Sequence, residues 1–132
     1  MKAVVFRLKD QRLSYEIPLI HKTTGDEMTK TQVCMDNCNF ETIIEATSTE
    51  DGTINLVITS DCQSIQKLIQ EITEVDPFQI VGRPIAECLI YKIANDYIRH
   101  PACIVPSAIV RTIEVESGMA LPGKSSISVE KV

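Results

Sequence analysis

Three features of this 132-residue chain predict an α+β fold, a mixed or antiparallel sheet packed on one face by two to three helices. The first 20 residues alternate apolar and polar with a period of two, and an Asp51-Gly52 turn separates two β-rich runs. From Ile65 onward apolar residues recur at helical spacing.

The elements follow in order. Val4, Phe6 and Leu8 fall on one face, and after the polar turn Lys9-Asp10-Gln11-Arg12 the set Leu13, Tyr15, Ile17 and Leu19 does the same, which predicts a β-hairpin. His21 to Glu27 is polar, contains Gly25, and is expected to be a loop. Thr42 to Thr47 is rich in β-branched residues, and Thr53 to Thr59 completes a second hairpin with Ile54, Leu56 and Ile58 on one face. Ser60 or Asp61 is then placed to cap a helix carrying Ile65, Leu68, Ile69, Ile72 and Val75, which Asp76-Pro77 ends. A second helix is expected near Pro84 with the stripe Ala86, Leu89, Ile90, Ile93, Ala94 and Tyr97. After His100 to Pro106, Ser107 looks like the cap of a third helix with Ala108, Ile109, Thr112 and Ile113 inward and Gly118 at its end. Ser126 to Val132, with Ile127 and Val129 on one face, is expected to be a last strand.

The length fits one domain that needs no disulfides, with residues 1–28 as an N-terminal hairpin extension and 29–132 as a cysteine-bearing core. A formal net charge of −5 and the lack of a basic arm argue against nucleic acid or an anionic membrane as partner. No apolar run is long enough to cross a bilayer, and the first residues lack the order of a signal peptide, so a cytoplasmic location is expected. Five cysteines in a reducing compartment stay thiols, which turns attention to metal binding, catalysis or burial.

Four of those cysteines fall at element ends. Cys34 and Cys38 are expected to precede a strand, Cys62 to sit at a strand-to-helix junction, and Cys103 to lie in the loop entering a helix. Inert cysteines usually occupy core positions, whereas the loops at strand ends are where α/β sheets build sites. The N-terminus of a helix carries about half a unit of positive charge and favours a thiolate. Cys62 stands at such a junction, with Asp61 beside it acting in the opposite sense. Three or four convergent thiolates are what zinc or an iron–sulfur cluster takes, so Cys38, Cys62 and Cys103, with Cys34 as optional fourth, are the candidate metal ligands.

The runs Cys38-Asn39-Phe40, Ser60-Asp61-Cys62, Pro101 to Ile109 and Ile113 to Pro122 resemble those of an uncharacterised family of small cysteine-containing proteins from methanogenic archaea, over residues 30 to 132. That family usually has Gly where this chain has Asn39. A more distant similarity is to iron–sulfur scaffold proteins of the NifU N-terminal type. Those run Cys-Gly, a β-hairpin, a Cys at a helix start, and a third Cys before a helix with an Ala-Ile pair. Here Cys38, Cys62 and Cys103 follow in that order, 24 and 41 residues apart. The resemblance implies that these three would be cluster ligands in a NifU N-terminal-like arrangement. Asn39 and Phe40 replace the scaffold family's Gly and Asp, and His100 lies three positions before Cys103 where that family has an adjacent histidine.

The remaining candidates carry less. His21 and His100 are too few for a histidine-rich site; His100 is near Cys103 and is an alternative fourth ligand, but it reads first as an exposed helix-end residue. A Cys-His hydrolase would need an orienting acid that no spacing singles out. Glu114 and Glu116 lie about 200° apart on a helix, and read as solvated or rim charges rather than as a converging pair. Cys88, beside Leu89, reads as core. Gly82-Arg83-Pro84 lacks the context of a phosphate loop. The leading expectation is therefore a non-enzymatic metal- or iron–sulfur-binding protein of the scaffold or carrier type. The alternatives are an interaction or oligomerisation module with structural cysteines, for which protein partners or self-association are expected, and a thiol redox protein using Cys34 and Cys38.

Overall fold

The computed structural model describes residues 3–7, 14–18 and 27–132. Strands β1 (Ala3–Arg7) and β2 (Ser14–Pro18) pair antiparallel, Val5 opposite Glu16, as the alternation predicts. The expected turn at Lys9 to Arg12 and residues 21–26 of the expected loop, His21 included, lie outside the described residues.

The main sheet is antiparallel with strand order β3-β4-β5-β6, from β3 (Thr29–Met35), β4 (Phe40–Ser48), β5 (Ile54–Ser60) and the two-residue β6 (Glu74–Val75). β3 was not foreseen. Its alternation of Thr29, Thr31, Val33 and Met35 is half polar, yet these are the residues that turn inward. Register pairs Ile44 with Ile58, Ala46 with Leu56 and Val33 with Thr42, so one face of the sheet is apolar and buried. Gly52, at a φ of 87°, supplies the left-handed position of the β4–β5 turn. The expected hairpin there is confirmed.

Helices α1 (Gln63–Ile69), α2 (Leu89–Tyr97) and α3 (Val105–Glu116) cover that face. α1 lies on β5, α3 lies on β3 and β4, and α2 packs between the two helices. Ile65 and Leu68 of α1, Ile90 and Ala94 of α2, and Ile109 and Ile113 of α3 join Ile44, Leu56 and Ile58 in one core.

Boundaries moved where tertiary pairing competed with periodicity. α1 ends at Ile69 rather than at Asp76, because the Leu56 N–H donates to the Thr73 carbonyl at 2.8 Å and Val75 pairs with Ile54. Ile72 and Val75 are buried all the same, since an extended segment crossing the core satisfies the same pattern. Pro84 opens a 3-10 turn at Ile85–Glu87 and not α2 itself, whose N-cap is the buried Cys88. α3 starts before Ser107, with Pro106 in its first turn, where the missing N–H costs nothing. Gly118, at a φ of 79°, follows its end as expected. The expected strand Ser126 to Val132 is not formed. Ile127 is 75% and Val129 88% exposed, because alternation produces a strand only where a partner strand accepts it.

Glu116 also departs from its expected role as a solvated charge. Its Oε1 accepts from the Thr29 hydroxyl at 2.7 Å, and its Oε2 accepts from the Ser48 hydroxyl at 2.7 Å and the Ser48 N–H at 3.0 Å. One carboxylate thus ties the end of α3 to two strands. Hydrogen bonds to a charged acceptor contribute more than neutral ones, and removing the acceptor strands three donors. Glu116→Ala is expected to lower the unfolding free energy by about 1–3 kcal/mol, measured by urea denaturation, whereas Glu114→Ala is expected to change it by less than about 0.5 kcal/mol.

Candidate functional site

Three cysteines far apart in sequence meet at one end of the sheet. Cys38 sits in the four-residue turn between β3 and β4, Cys62 is the residue before α1, and Cys103 lies in the loop before α3. All three, with His100, line a single small cavity of about 60 Å³. Its remaining walls include Met35, Phe40, Ile65 and Val105.

Local structure explains each placement. The β3–β4 turn closes through the Asn39 N–H, which donates to the Met35 carbonyl at 2.8 Å. Asn39 holds a φ of 57°, the left-handed region that Gly and Asn tolerate best. Asn therefore does at this position what Gly would do, and the turn that carries Cys38 is preserved. Cys62 is set by β5: the buried hydroxyls of Thr42 and Ser60 share a 2.7 Å hydrogen bond, and Ser60 Oγ also accepts from the Cys62 N–H at 3.2 Å. Gln66 reaches back from α1 to donate to the Ser60 carbonyl at 2.7 Å. Ser60 thus organises the helix start without being its N-cap. Cys103 is held by its N–H, which donates to the His100 carbonyl at 3.2 Å, and this turn brings His100 to the same cavity.

The electrostatics agree with this proximity. Burial pushes the Cys103 thiol above its ordinary pKa, a hydrogen bond from the Val105 backbone opposes the shift, and the nearness of Cys62 and Cys38 adds to it. By type, three soft sulfurs and an imidazole fit zinc or an iron–sulfur cluster. As they stand, no group of three or more His, Cys, Asp or Glu side chains among the described residues is arranged to hold a metal ion.

Cys34 is not part of this gathering. It faces the other side of β3, exposed, with its Sγ 3.8 Å from Glu41 Oε2, and it lines a different cavity from Cys38. Cys88 is buried in the core, as read from sequence. The sequence reading missed the Thr42–Ser60 hydroxyl pair beneath Cys62. A threonine opening one strand and a serine closing the next was its only signal, and the register that joins them is a tertiary fact.

Comparison with known proteins gives a family match. The family model described as "Family of unknown function (DUF6951)" matches residues 29–129. The chain belongs to that family. The matched span takes in β3 to α3 and all five cysteines, so Cys38, Cys62, Cys103 and His100 are within the family's own domain. No curated protein and no solved structure matches the chain. No helix among the described residues is long and apolar enough to cross a membrane.

Local desolvation, Glu41 and Asp36 together hold the exposed Cys34 thiol above its ordinary pKa. A raised value means less thiolate at neutral pH, so removing the adjacent charge should increase it. Glu41→Gln is expected to speed alkylation of Cys34 by iodoacetamide at pH 7.5, followed by peptide mass spectrometry, with no such change at Cys88.

Proposed function

We propose that this chain is a non-enzymatic metal- or iron–sulfur-binding protein of the scaffold or carrier type, with Cys38, Cys62 and Cys103 as sulfur donors and His100 as the fourth. The observation that carries this reading is that residues spread over 66 positions, from Cys38 to Cys103, line one cavity of about 60 Å³. Three thiols and an imidazole seldom gather by chance, because free cysteines packed for structure behave as small hydrophobes in the core, as Cys88 does here.

The order of Cys38, Cys62 and Cys103 resembles that of the cluster ligands in NifU N-terminal-type scaffolds, which is in keeping with the same assignment. Asn39 adopts the left-handed φ that Gly takes readily, so this departure from the scaffold pattern leaves the turn formed. Phe40 in place of an aspartate remains a difference, and it puts an apolar wall where the scaffold family has a carboxylate. His100 supplies a donor from another direction. A cluster held here would be cargo, and zinc would be a structural or regulatory occupant. The protein's part is to gather the thiols, orient Cys103 through the Val105 N–H, and keep the site partly shielded from water. A Cys34–Cys38 redox pair is disfavoured by the two residues facing different cavities.

Protein purified anaerobically is expected to contain iron with visible absorbance, or about one zinc per chain by elemental analysis. Cys62→Ser and Cys103→Ser are expected to lose the bound metal, His100→Ala to weaken it by about 10-fold or more, and Cys34→Ser to keep it. Binding should release protons, seen as acidification of weakly buffered solution on zinc addition. Metal-free protein whose melting temperature does not move with excess zinc or on reconstitution with iron and sulfide would overturn the reading.

A further inference from the structure

A second cavity, larger than the cysteine-lined one, lies away from it and shares no lining residue with it. It has a volume of about 390 Å³ and is formed by the free edge of β3, one side of α3 and the segment that follows that helix. That volume is within the usual range for small-molecule sites, roughly 300–1,000 Å³.

Its chemistry is one-sided. Lys30 from β3, Arg111 from α3 and Lys124 from the following segment all line it, and no Asp or Glu among the described residues does. This holds in a chain with 18 acidic and 13 basic residues, where an unselected patch would favour carboxylates. Two acids outside the lining bond to residues of its wall: Glu41 accepts from Gln32 Nε2 at 2.8 Å, and Glu116 accepts from Thr29 with one oxygen and from Ser48 with the other.

Arg111 is held in place. Its Nε donates to Ser125 Oγ and its Nη2 to the Leu121 carbonyl, each at 3.3 Å. A guanidinium has five N–H donors, so these bonds fix its plane and leave donors over for an oxyanion. Beside it on the same face of α3, Ile104, Ala108 and Val115 supply an apolar wall, while Ser107 and Ser126 add hydroxyls at the mouth.

We propose that this cavity binds a small organic anion, with its carboxylate or phosphate head on Arg111, Lys30 and Lys124 and its apolar body against Ile104, Ala108 and Val115. The site is independent of the metal reading, since the two cavities have no residue in common. A charged head on a fixed guanidinium gives orientation, and the apolar wall selects for a carbon chain or ring over a bare inorganic ion.

Calorimetric titration of the full chain at low salt with hexanoate, hexyl phosphate and hexylammonium tests this. At least one of the two anions is expected to bind one to one, more weakly as salt rises, and whichever binds identifies the head group. Hexylammonium is expected not to bind. Arg111→Met should weaken the anion by about tenfold or more. Because Arg111 also ties down the segment after α3, Lys30→Met, an exposed exchange with no described structural bond, is the second variant and should weaken binding about threefold or more. Circular dichroism and melting temperature confirm that both variants are folded. The proposal is overturned if neither anion binds at about 10 mM, if hexylammonium binds equally well, or if the folded variants bind as the parent does.

Discussion

The register of β4 against β5 is the constraint on which the rest of the domain depends. It places Ile44 opposite Ile58 and Ala46 opposite Leu56, which makes a continuous apolar face for the three helices. A slip of one residue would turn that face to solvent and leave α1, α2 and α3 without a core. The same register brings Thr42 to Ser60 at the end of the strands, where their hydroxyls bond in a buried position. Ser60 then sets the first backbone N–H of the helix entry, and Cys62 is where it is because of that bond.

The turn geometry acts at the same end. Asn39 in the left-handed region lets β3 fold back on β4 within four residues, so Cys38 comes to rest beside Cys62. On the opposite side, Pro106 opens α3 directly after the loop that carries His100 and Cys103. Three local devices, a hydroxyl pair, a left-handed turn and a proline in a first helical turn, thereby converge on one cavity. None of them is costly by itself, and each would serve an ordinary structural purpose alone. Their conjunction at the thiols is what distinguishes this end of the domain from the other loops. The core cysteine, Cys88, has no such surroundings.

The two cavities differ in the way their character is written into the chain. The thiol site is walled mainly by apolar side chains, with its sulfurs, the His100 imidazole and Thr42 as the polar exceptions, so its chemistry rests on soft donors in a partly dry place. The larger cavity is lined by cations and hydroxyls over an apolar wall, and its chemistry rests on charge. Cys34 shows how finely the sheet separates them. It neighbours Met35, which lines the first cavity, yet it lines the second, and its thiol donates to Glu41. Sequence proximity to Cys38 suggested a pair, and the two residues line different cavities.

Much of this was legible in advance. The two hairpins, the three helical stripes, the Asp51-Gly52 turn and the burial of Cys88 follow from periodicity and turn chemistry, because these are local preferences that the fold did not have to override. Strand β3 was missed since its inward positions include two threonines, which are half-buried where α3 packs on the strand. There Thr112, wholly buried, bonds to Thr31 Oγ1 and to the Ala108 carbonyl. The ends of α1 and the strand expected at Ser126 to Val132 went the other way, since hydrogen-bond partners and not periodicity decide whether a segment with a suitable pattern is helix, strand or neither. The sequence by itself determined the fold class, the apolar faces and which cysteines stand at element ends. Only the tertiary structure decided which of those cysteines meet, because convergence depends on strand register and turn geometry, which act between residues that are distant along the chain.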